Sequence, residues 1–510
     1  MNKSAKNIII LCGAVVVLGG GLIALKMTEP KDNPTEESPV SETSKDSEAE
    51  GSGITVVADE KADEHGGVIS EVSVKNADGI LHVVVDKEAT EDSAQTYTLA
   101  DYKDIPLNTA LVGTLANNAV NMVSESVVEE NGENLAKFGL DNPQAEVEIK
   151  FKSGTTKKLI IGDKAPANSE TYVMIDDEKT VYTVSTSYVA NYSKALNDFI
   201  ETTILEKPDD DNMPIVESVK IEREDIDYDI VLEYDKKSDD GKYSGGTSAK
   251  HVMTEPTEAY LTVERSEPVT NGMFGLIADS IYSVKCSASD IAQAGLKEPF
   301  CKVTMKCDDG KSYTLLMSEP FTDENNKKCC YAMFEDGKVI YTVNTENAKW
   351  AIVMPIDITS RIMIGSYVWN ITDLSVKCSD GTEENFTIKL KDEKMDLSDA
   401  KTADFEVRRN GGIFDSERYR QFYGFLISSS AEEFALGEKV PTGKPTVTIT
   451  YSDSYTKTTT TIDFYDYSNL TSLIVINGES KYFCSKSYVD TLIDNIGRIE
   501  TGEEYVTTWK

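Results

Sequence analysis

Three stretches of this chain alternate apolar and polar residues in the same phase: Ile69-Ser70-Glu71-Val72-Ser73-Val74-Lys75, Val216-Glu217-Ser218-Val219-Lys220-Ile221-Glu222 and Ile371-Thr372-Asp373-Leu374-Ser375-Val376-Lys377. A period of two places the apolar set on one face of a strand. A turn and a second alternating run follow each (LHVVVD, YDIVLEYD and NFTIKLKD), which predicts hairpins with one buried face. Helical spacing comes next: Leu111, Leu115, Ala119 and Met122 share one face, as do Met273, Ile277 and Ile281, and then Phe422, Phe425 and Leu426. Three shorter helical turns, ENLAKFG, ASDIAQAG and AEEFALG, end at Gly139, Gly295 and Gly437, where glycine suits a left-handed cap. Pro143, Pro299 and Pro441 stand four residues further on and block any continuation.

A meander closes each segment. VEIKFKSG, VTMKCDDG and VTITYSDS read as strand plus turn, followed by KKLIIGD, YTLLMSE and TTIDFYD, then YVMID, YAMFED and LIVINGE. The closing strands VYTVSTSYV, IYTVNTENA and YFCSKSYVD lead into short helical tails. The same order three times predicts an α+β fold of three tandem degenerate repeats, each a β-hairpin, one or two helices and an antiparallel β-meander. The predicted units span residues 67–206, 215–366 and 367–510, with 207–214 as the first linker. The second junction, Gly365 to Asn370, is short and contains Trp369, so close packing of units two and three is expected. Lys236–Lys250 and Lys391–Ala403 read as polar exposed loops.

The N-terminus adds a location. Lys3 and Lys6 precede an uncharged run from Ile8 to Leu25, closed by Lys26. Eighteen helical residues rise roughly 27 Å, enough to cross a bilayer with little tilt. Residues 8–25 are therefore expected to be a single transmembrane signal anchor, with 1–7 cytoplasmic and the C-terminal body outside. Leu11 stands where a lipobox wants a small residue before Cys12, which argues against a lipid anchor. Residues 26–66, rich in Glu, Asp, Ser, Pro and Gly, are expected to form a disordered acidic stalk.

Charge narrows the partners. The net charge of −37 leaves no clustered Lys/Arg for phosphate, so nucleic acid is excluded as a partner. Seven cysteines follow the anchor, an odd number that does not read as a disulfide framework. Cys301 and Cys307 share one strand face with Val303 and Met305. They read as small buried hydrophobes, with cross-strand disulfides or a metal site as alternatives.

Catalytic chemistry is not legible. The three histidines are His65 in the stalk, His82 in a strand and His251 in a loop, and none forms a zinc or triad arrangement. Ser454-Tyr455-Thr456-Lys457 has Ser-x-x-Lys spacing but sits in a turn rather than at a helix start. Asp209, Asp210 and Asp211 are contiguous and lack the alternating spacing of a calcium loop. No phosphate-binding glycine loop occurs, and no cofactor, metal or catalytic residue is assigned. One acid recurs at the same strand end, Asp163, Glu319 and Asp466, with turn capping or ligand binding as its two readings. Tyrosines of the meander, Tyr172, Tyr182, Tyr188, Tyr331, Tyr341, Tyr482 and Tyr488, read as sheet core, with a solvent-facing subset as a candidate binding face.

The helix, the FGLDNP turn, LIIGD, YVMID and VYTVSTSYV between Tyr97 and Leu205 resemble the domain-of-unknown-function 4340 family. Unit two resembles it loosely, with Met317-Ser318-Glu319 in place of Ile161-Gly162-Asp163, and unit three has Phe464-Tyr465-Asp466. The resemblance implies a membrane-anchored, extracytoplasmic bacterial protein, often associated with ABC-transporter components of the gliding-motility type. The expectation is a non-enzymatic accessory to a transporter permease and ATPase. The alternative is a cell-envelope module that binds wall polymer or another surface protein.

Overall fold

The computed structural model describes residues 53–61, 67–166, 169–240, 248–396, 399–428 and 431–509. The anchor predicted at 8–25 and most of the stalk lie outside the described residues. Among those described, no helix is long and apolar enough to cross a membrane. The body is mostly β-sheet, with few helices.

The first sheet is built from β1 (Ile69–Asn76), β2 (Gly79–Lys87), β3 (Thr96–Leu99), β4 (Ser124–Glu129), β5 (Ala145–Phe151), β6 (Thr156–Lys164), β7 (Glu170–Ile175) and β8 (Val181–Ser185), in the order β3-β2-β1-β5-β6-β7-β8-β4. The hairpin and the meander thus join edge to edge, with Val72 opposite Ile149 and Val74 opposite Val147. Their alternating apolar sets share one face, which the helix α1 (Thr109–Val120) covers with Val112, Leu115, Ala116 and Ala119, and a short helix α2 (Thr186–Val189) follows β8. Asn108 caps α1 by accepting the Leu111 N–H at 3.0 Å.

The second sheet contains β9 (Val216–Arg223), β10 (Ile230–Tyr234), β11 (His251–Glu255), β12 (Ala259–Tyr260), β13 (Ser280–Val284), β14 (Cys301–Cys307), β15 (Ser312–Met317), β16 (Phe321–Thr322), β17 (Lys328–Phe334) and β18 (Val339–Asn344). Its order is β12-β11-β10-β9-β14-β15-β17-β18-β13. The third has β19 (Ile371–Cys378), β20 (Glu383–Leu390), β21 (Phe405–Arg409), β22 (Gly412–Phe414), β23 (Glu433–Phe434), β24 (Val447–Asp453), β25 (Thr458–Asp466), β26 (Thr471–Ile476) and β27 (Glu479–Ser485), ordered β22-β21-β20-β19-β24-β25-β26-β27-β23. All pairings among the described strands are antiparallel, and the three orders follow one plan: hairpin outward on one side, meander on the other, and at the far edge a strand that precedes the meander in the chain.

The connectors between sheets repeat the same hydrogen bonds. Thr55 bridges Val123, with the Val56 N–H on the Met122 carbonyl and the Ser124 N–H on the Ile54 carbonyl, both at 2.9 Å. Thr203 bridges Ile277 through the corresponding pair, Ile204 to Leu276 and Ala278 to Thr202. In the third sheet the Ala431 N–H donates to the Arg361 carbonyl at 3.2 Å. A second clip joins Leu107 to Ile200 and, likewise, Leu261 to Thr359. The turns that feed it are capped alike, Asp198 accepting from the Ala195 N–H at 3.0 Å and Asp357 from that of Met354 at 3.1 Å.

Several expectations need correcting. The folded body begins at Ile54, not 67, because the apolar Ile54-Thr55-Val56-Val57 pairs with the first sheet and buries Val57. The helix expected through Met273, Ile277 and Ile281 is instead α3 (Val263–Thr270). It stops at Asn271-Gly272, where any Cβ on Gly272 would lie 2.0 Å from the Pro268 carbonyl oxygen, and Ile281 belongs to β13. ASDIAQAG forms the short helix α4 (Ala288–Gln293) and ENLAKFG a 3-10 turn over Leu135–Phe138. AEEFALG is not helical: its Glu433 and Phe434 form β23. The tail after β27 is not short. After α5 (Pro355–Ile358) and α6 (Ser416–Ser428), it forms α7 (Lys486–Thr501), sixteen residues long. His251 opens a strand rather than lying in a loop.

The punctuation around Gly139 has a structural use. Phe138 and Leu140 fold back over the outer face of the meander onto Ile160, Met174 and Val181, a small second core behind the sheet. Leu296 with Met333 and Ile340, and Ala435 with Leu473 and Val475, do the same for the other sheets. Meander strands buried on both faces explain their continuous apolar runs.

Candidate functional site

A recess follows the segment Thr359–Val368 between the second and third sheets. One groove of ≈ 570 Å³ is walled by Thr262, Val263, Arg265, Ile362, Ile364 and Ile427. It shares Ser366 and Ile427 with a second groove of ≈ 560 Å³ that contains Tyr367, Lys401, Glu417 and Arg420. It shares Ser360, Ile362 and Gly365 with a third of ≈ 450 Å³ walled by Tyr260, Tyr451, Lys481 and Tyr482. Ile362 and Tyr367 stand more than half exposed, at 54% and 60%.

The chain runs extended here because its backbone is already clipped to neighbours. The Ser360 N–H donates to the Tyr260 carbonyl at 2.7 Å, and Met363 and Ile364 turn into the third core. Several cations along the recess are engaged. Arg265 donates to the Thr262 hydroxyl at 3.1 Å and to the Thr359 carbonyl at 3.2 Å, Arg420 pairs with Glu417, and Lys481 with Glu479. Apolar and aromatic side chains, Tyr260, Ile362, Ile364, Tyr367 and Ile427, line the recess together with serines and charged residues. Such a surface can bind.

A cavity of ≈ 800 Å³ lies beside β9–β11 and is lined by Lys207, Asp210, Tyr234, Asp239, Lys250, His251, Glu264 and Glu267 among others. His251 is 7% exposed, and its Nε2 lies 2.8 Å from the Val216 carbonyl oxygen. Burial depresses its pKa, so the ring stays neutral, with Nε2 donating. Tyr234 packs edge-on against it, centroids 5.5 Å apart. Among the described residues that line this cavity there is no serine, threonine or cysteine.

The thiols are equally withdrawn. All seven described cysteines are free, and six are buried. Burial pushes Cys307 up to about 11 and Cys330 and Cys484 to about 12, with Cys301 higher still. Thiols held so far above their ordinary range are not nucleophiles. Cys301, Val303, Met305 and Cys307 do share the inner face of β14, packed as hydrophobes. Among the described residues no group of His, Cys, Asp or Glu could hold a metal ion.

Asp163, Glu319 and Asp466 sit at the same place on three different sheets and are all exposed, so they are not brought together. Asp163 lies over Gly139, Asp466 accepts from the Lys486 ammonium at 3.0 Å, and beside Glu319 it is Ser318 that takes the Tyr331 N–H, at 3.0 Å. Among the marker residues, Gly139, Gly295 and Gly437 have φ of 69°, 71° and 73°, the left-handed caps expected of them. Pro143, Pro299 and Pro441 are half-buried just beyond. Ser454 and Lys457 lie in the β24–β25 turn, where the Ser454 hydroxyl donates to the Asn370 carbonyl at 2.8 Å. Tyr182, Tyr341 and Tyr488 are core, while Tyr172, Tyr188, Tyr331 and Tyr482 are half-buried.

The residues that matter most here, Tyr260, Ile362 and Tyr367, carry no sequence signal. They are apolar side chains in a junction, and only the packing of two sheets makes a surface of them.

The model of a domain of unknown function (DUF4340) matches residues 98–264, from the end of β3 to the start of α3. No curated protein and no solved structure matches the chain.

Proposed function

We propose that this chain is a non-enzymatic, membrane-anchored extracytoplasmic protein that serves as an accessory to an ABC-type transporter, its body made of three copies of one α+β unit. The observation that carries the reading is the coincidence of the two backbone clips. Thr55–Val123 corresponds to Thr203–Ile277, and Leu107–Ile200 to Leu261–Thr359, bond for bond. A body assembled by serial clipping presents an extended surface, as stacked repeats do. Some of its ionisable side chains hold strands and caps. Arg409, for example, grips the buried Glu384 through two bonds of 2.6 Å. The apolar run 8–25 with lysines at both ends supports the anchor.

The test is affinity capture of the full-length protein from solubilised membranes, with quantification of permease and ATPase subunits. Their enrichment over a tag-only control supports the reading, and their absence sinks it. A second reading, a module for wall polymer, is favoured by the exposed Tyr260 and Tyr367 along the recess. Sedimentation with insoluble wall material, lost in a Tyr260→Ala/Tyr367→Ala variant, would select it over the first.

A further inference from the structure

One core position differs in kind between the three sheets. Val72, Val219 and Leu374 are equivalent in the first strand of each hairpin, and opposite them stand Ile149, Met305 and Tyr451. Ile149 and Met305 are plain apolar core, 0% and 1% exposed. The fold therefore asks only for an apolar side chain at this point. Tyr451 fills it with a ring, 6% exposed, and adds a hydroxyl that no described group meets with a hydrogen bond. A phenol withdrawn from bulk water without a partner is costly, and packing does not require it.

Tyr451 lines the cavity of ≈ 450 Å³ where the second and third sheets meet, together with Tyr260, Thr460, Asn477, Lys481 and Tyr482. Strands hold these groups in place. Thr460 stands opposite Tyr451 on β25, Tyr482 lies on β27 opposite Phe434, and Tyr260 ends β12, where the Ser360 N–H fixes its carbonyl. The hydroxyls of Tyr260 and Tyr482 also receive no hydrogen bond from a described group. Burial, and then the neighbouring Tyr260, hold the Tyr482 phenol above its ordinary range, so it stays protonated. The Asn477 Oδ1 accepts the Thr461 N–H at 2.9 Å, which leaves its amide hydrogens to donate. Lys481 pairs with Glu479 at 2.8 Å, so the lining polar side chains, Glu258 apart, are neutral or already paired.

We propose that this cavity is a saccharide site in which the Tyr451 hydroxyl bonds a sugar hydroxyl. Three phenols with Thr460 and Ser360 can each donate and accept, which suits a ligand dense in hydroxyls. The Tyr260 ring, 41% exposed, offers a flat apolar face to the C–H face of a sugar ring, and Ile362 and Ile476 line the same cavity. The volume falls in the range of small-ligand sites, about 300–1,000 Å³. An anionic ligand would find no unpaired cation among the lining residues, and a cationic one only the carboxylate of Glu258. The inference rests on the second reading above, the module for wall polymer, and names its ligand class and the hydroxyl that selects it.

Saturation-transfer NMR on the full-length protein in lipid nanodiscs tests it, with cellobiose, maltose and N,N′-diacetylchitobiose as probes. At least one disaccharide is expected to take up magnetisation from the protein. Tyr451→Phe removes only an oxygen from a packed ring and weakens that binding about tenfold at an unchanged melting temperature. Tyr482→Phe weakens it too, while Tyr455→Phe, in the exposed β24–β25 turn, leaves it as it was. No transfer to any of the probes, or an affinity indifferent to Tyr451→Phe, overturns the proposal. Disaccharide binding without sedimentation on wall material keeps this site and removes the wall reading. Sedimentation without disaccharide binding that depends on Tyr451 removes this site and keeps the wall reading.

Discussion

Gly162 has no room for a side chain: a Cβ there would fall 2.2 Å from the Phe138 carbonyl oxygen, and one on Gly139 2.4 Å from the Asp163 carboxyl carbon. The obstacle to Gly162 is backbone, which cannot rotate aside. Gly162→Ala is therefore expected to cost about 1–3 kcal/mol in urea unfolding, as overpacking does. Gly437→Ala, at φ 73° but with no atom within 4 Å, should cost only the left-handed strain, about 1–2 kcal/mol. The approach loosens along the chain, since the corresponding Gly295 has Ser318 Cβ at 3.7 Å. That is why Ser318 and Tyr465 can stand where the first sheet needs Gly162. The glycine caps were legible in the sequence from their place before proline. The crossing beneath Gly139 was not, because it depends on a strand more than twenty residues away.

His251 gives the second prediction at this scale. Its pKa in the fold lies below the ordinary 6.5, so the unfolded chain binds its proton first and stability falls as pH drops through about 6.5. The groups around it are Tyr234 and Asp239 from β10 and the turn after it, Lys250 beside it, and Glu264 and Glu267 from α3. Thermal melts at pH 7.5 and 5.5 should therefore differ more for the native protein than for His251→Gln, whose amide can still reach the Val216 carbonyl. Equal pH slopes would remove His251 as the cause.

At the scale of elements, period-two alternation was the dependable signal. β1, β9 and β19, and the strands they pair with, lie where the alternation puts them. Helical spacing misled twice. Ile277 and Ile281 are four residues apart, yet one sits in a clip and the other in a strand, because Asn271-Gly272 had already ended α3. AEEFALG has helical composition but is drawn out against β27, where Phe434 stacks near Tyr482 with centroids 5.0 Å apart. Tertiary burial overrode local propensity in both. The inner face of β14 fixes a testable consequence. Cys301, Cys307, Cys329, Cys330, Cys378 and Cys484 are buried and Cys286 is not fully so. Titration of the native body with a bulky thiol reagent at neutral pH should label Cys286 alone, and the remainder should react only after denaturation. Rapid labelling of Cys301 or Cys330 would show that β14 or β17 opens.

At the scale of the whole molecule, the sequence led us to expect three sheet-forming stretches in series but did not show how they join. The clips are made of backbone hydrogen bonds, to which residue type is nearly indifferent: Thr55, Thr203 and their partners Val123 and Ile277 carry no motif. The same holds for the recess along Thr359–Val368, which is defined by what neighbouring strands leave uncovered. The proposed reading of the chain as a binding accessory builds on such a surface. Native gel electrophoresis of gently solubilised membranes tests that reading most directly, probed for an ABC permease in cells with and without this chain. The account predicts a permease complex that contains the chain and migrates faster when the chain is deleted. Unchanged migration of the permease, with this chain running separately, would contradict it.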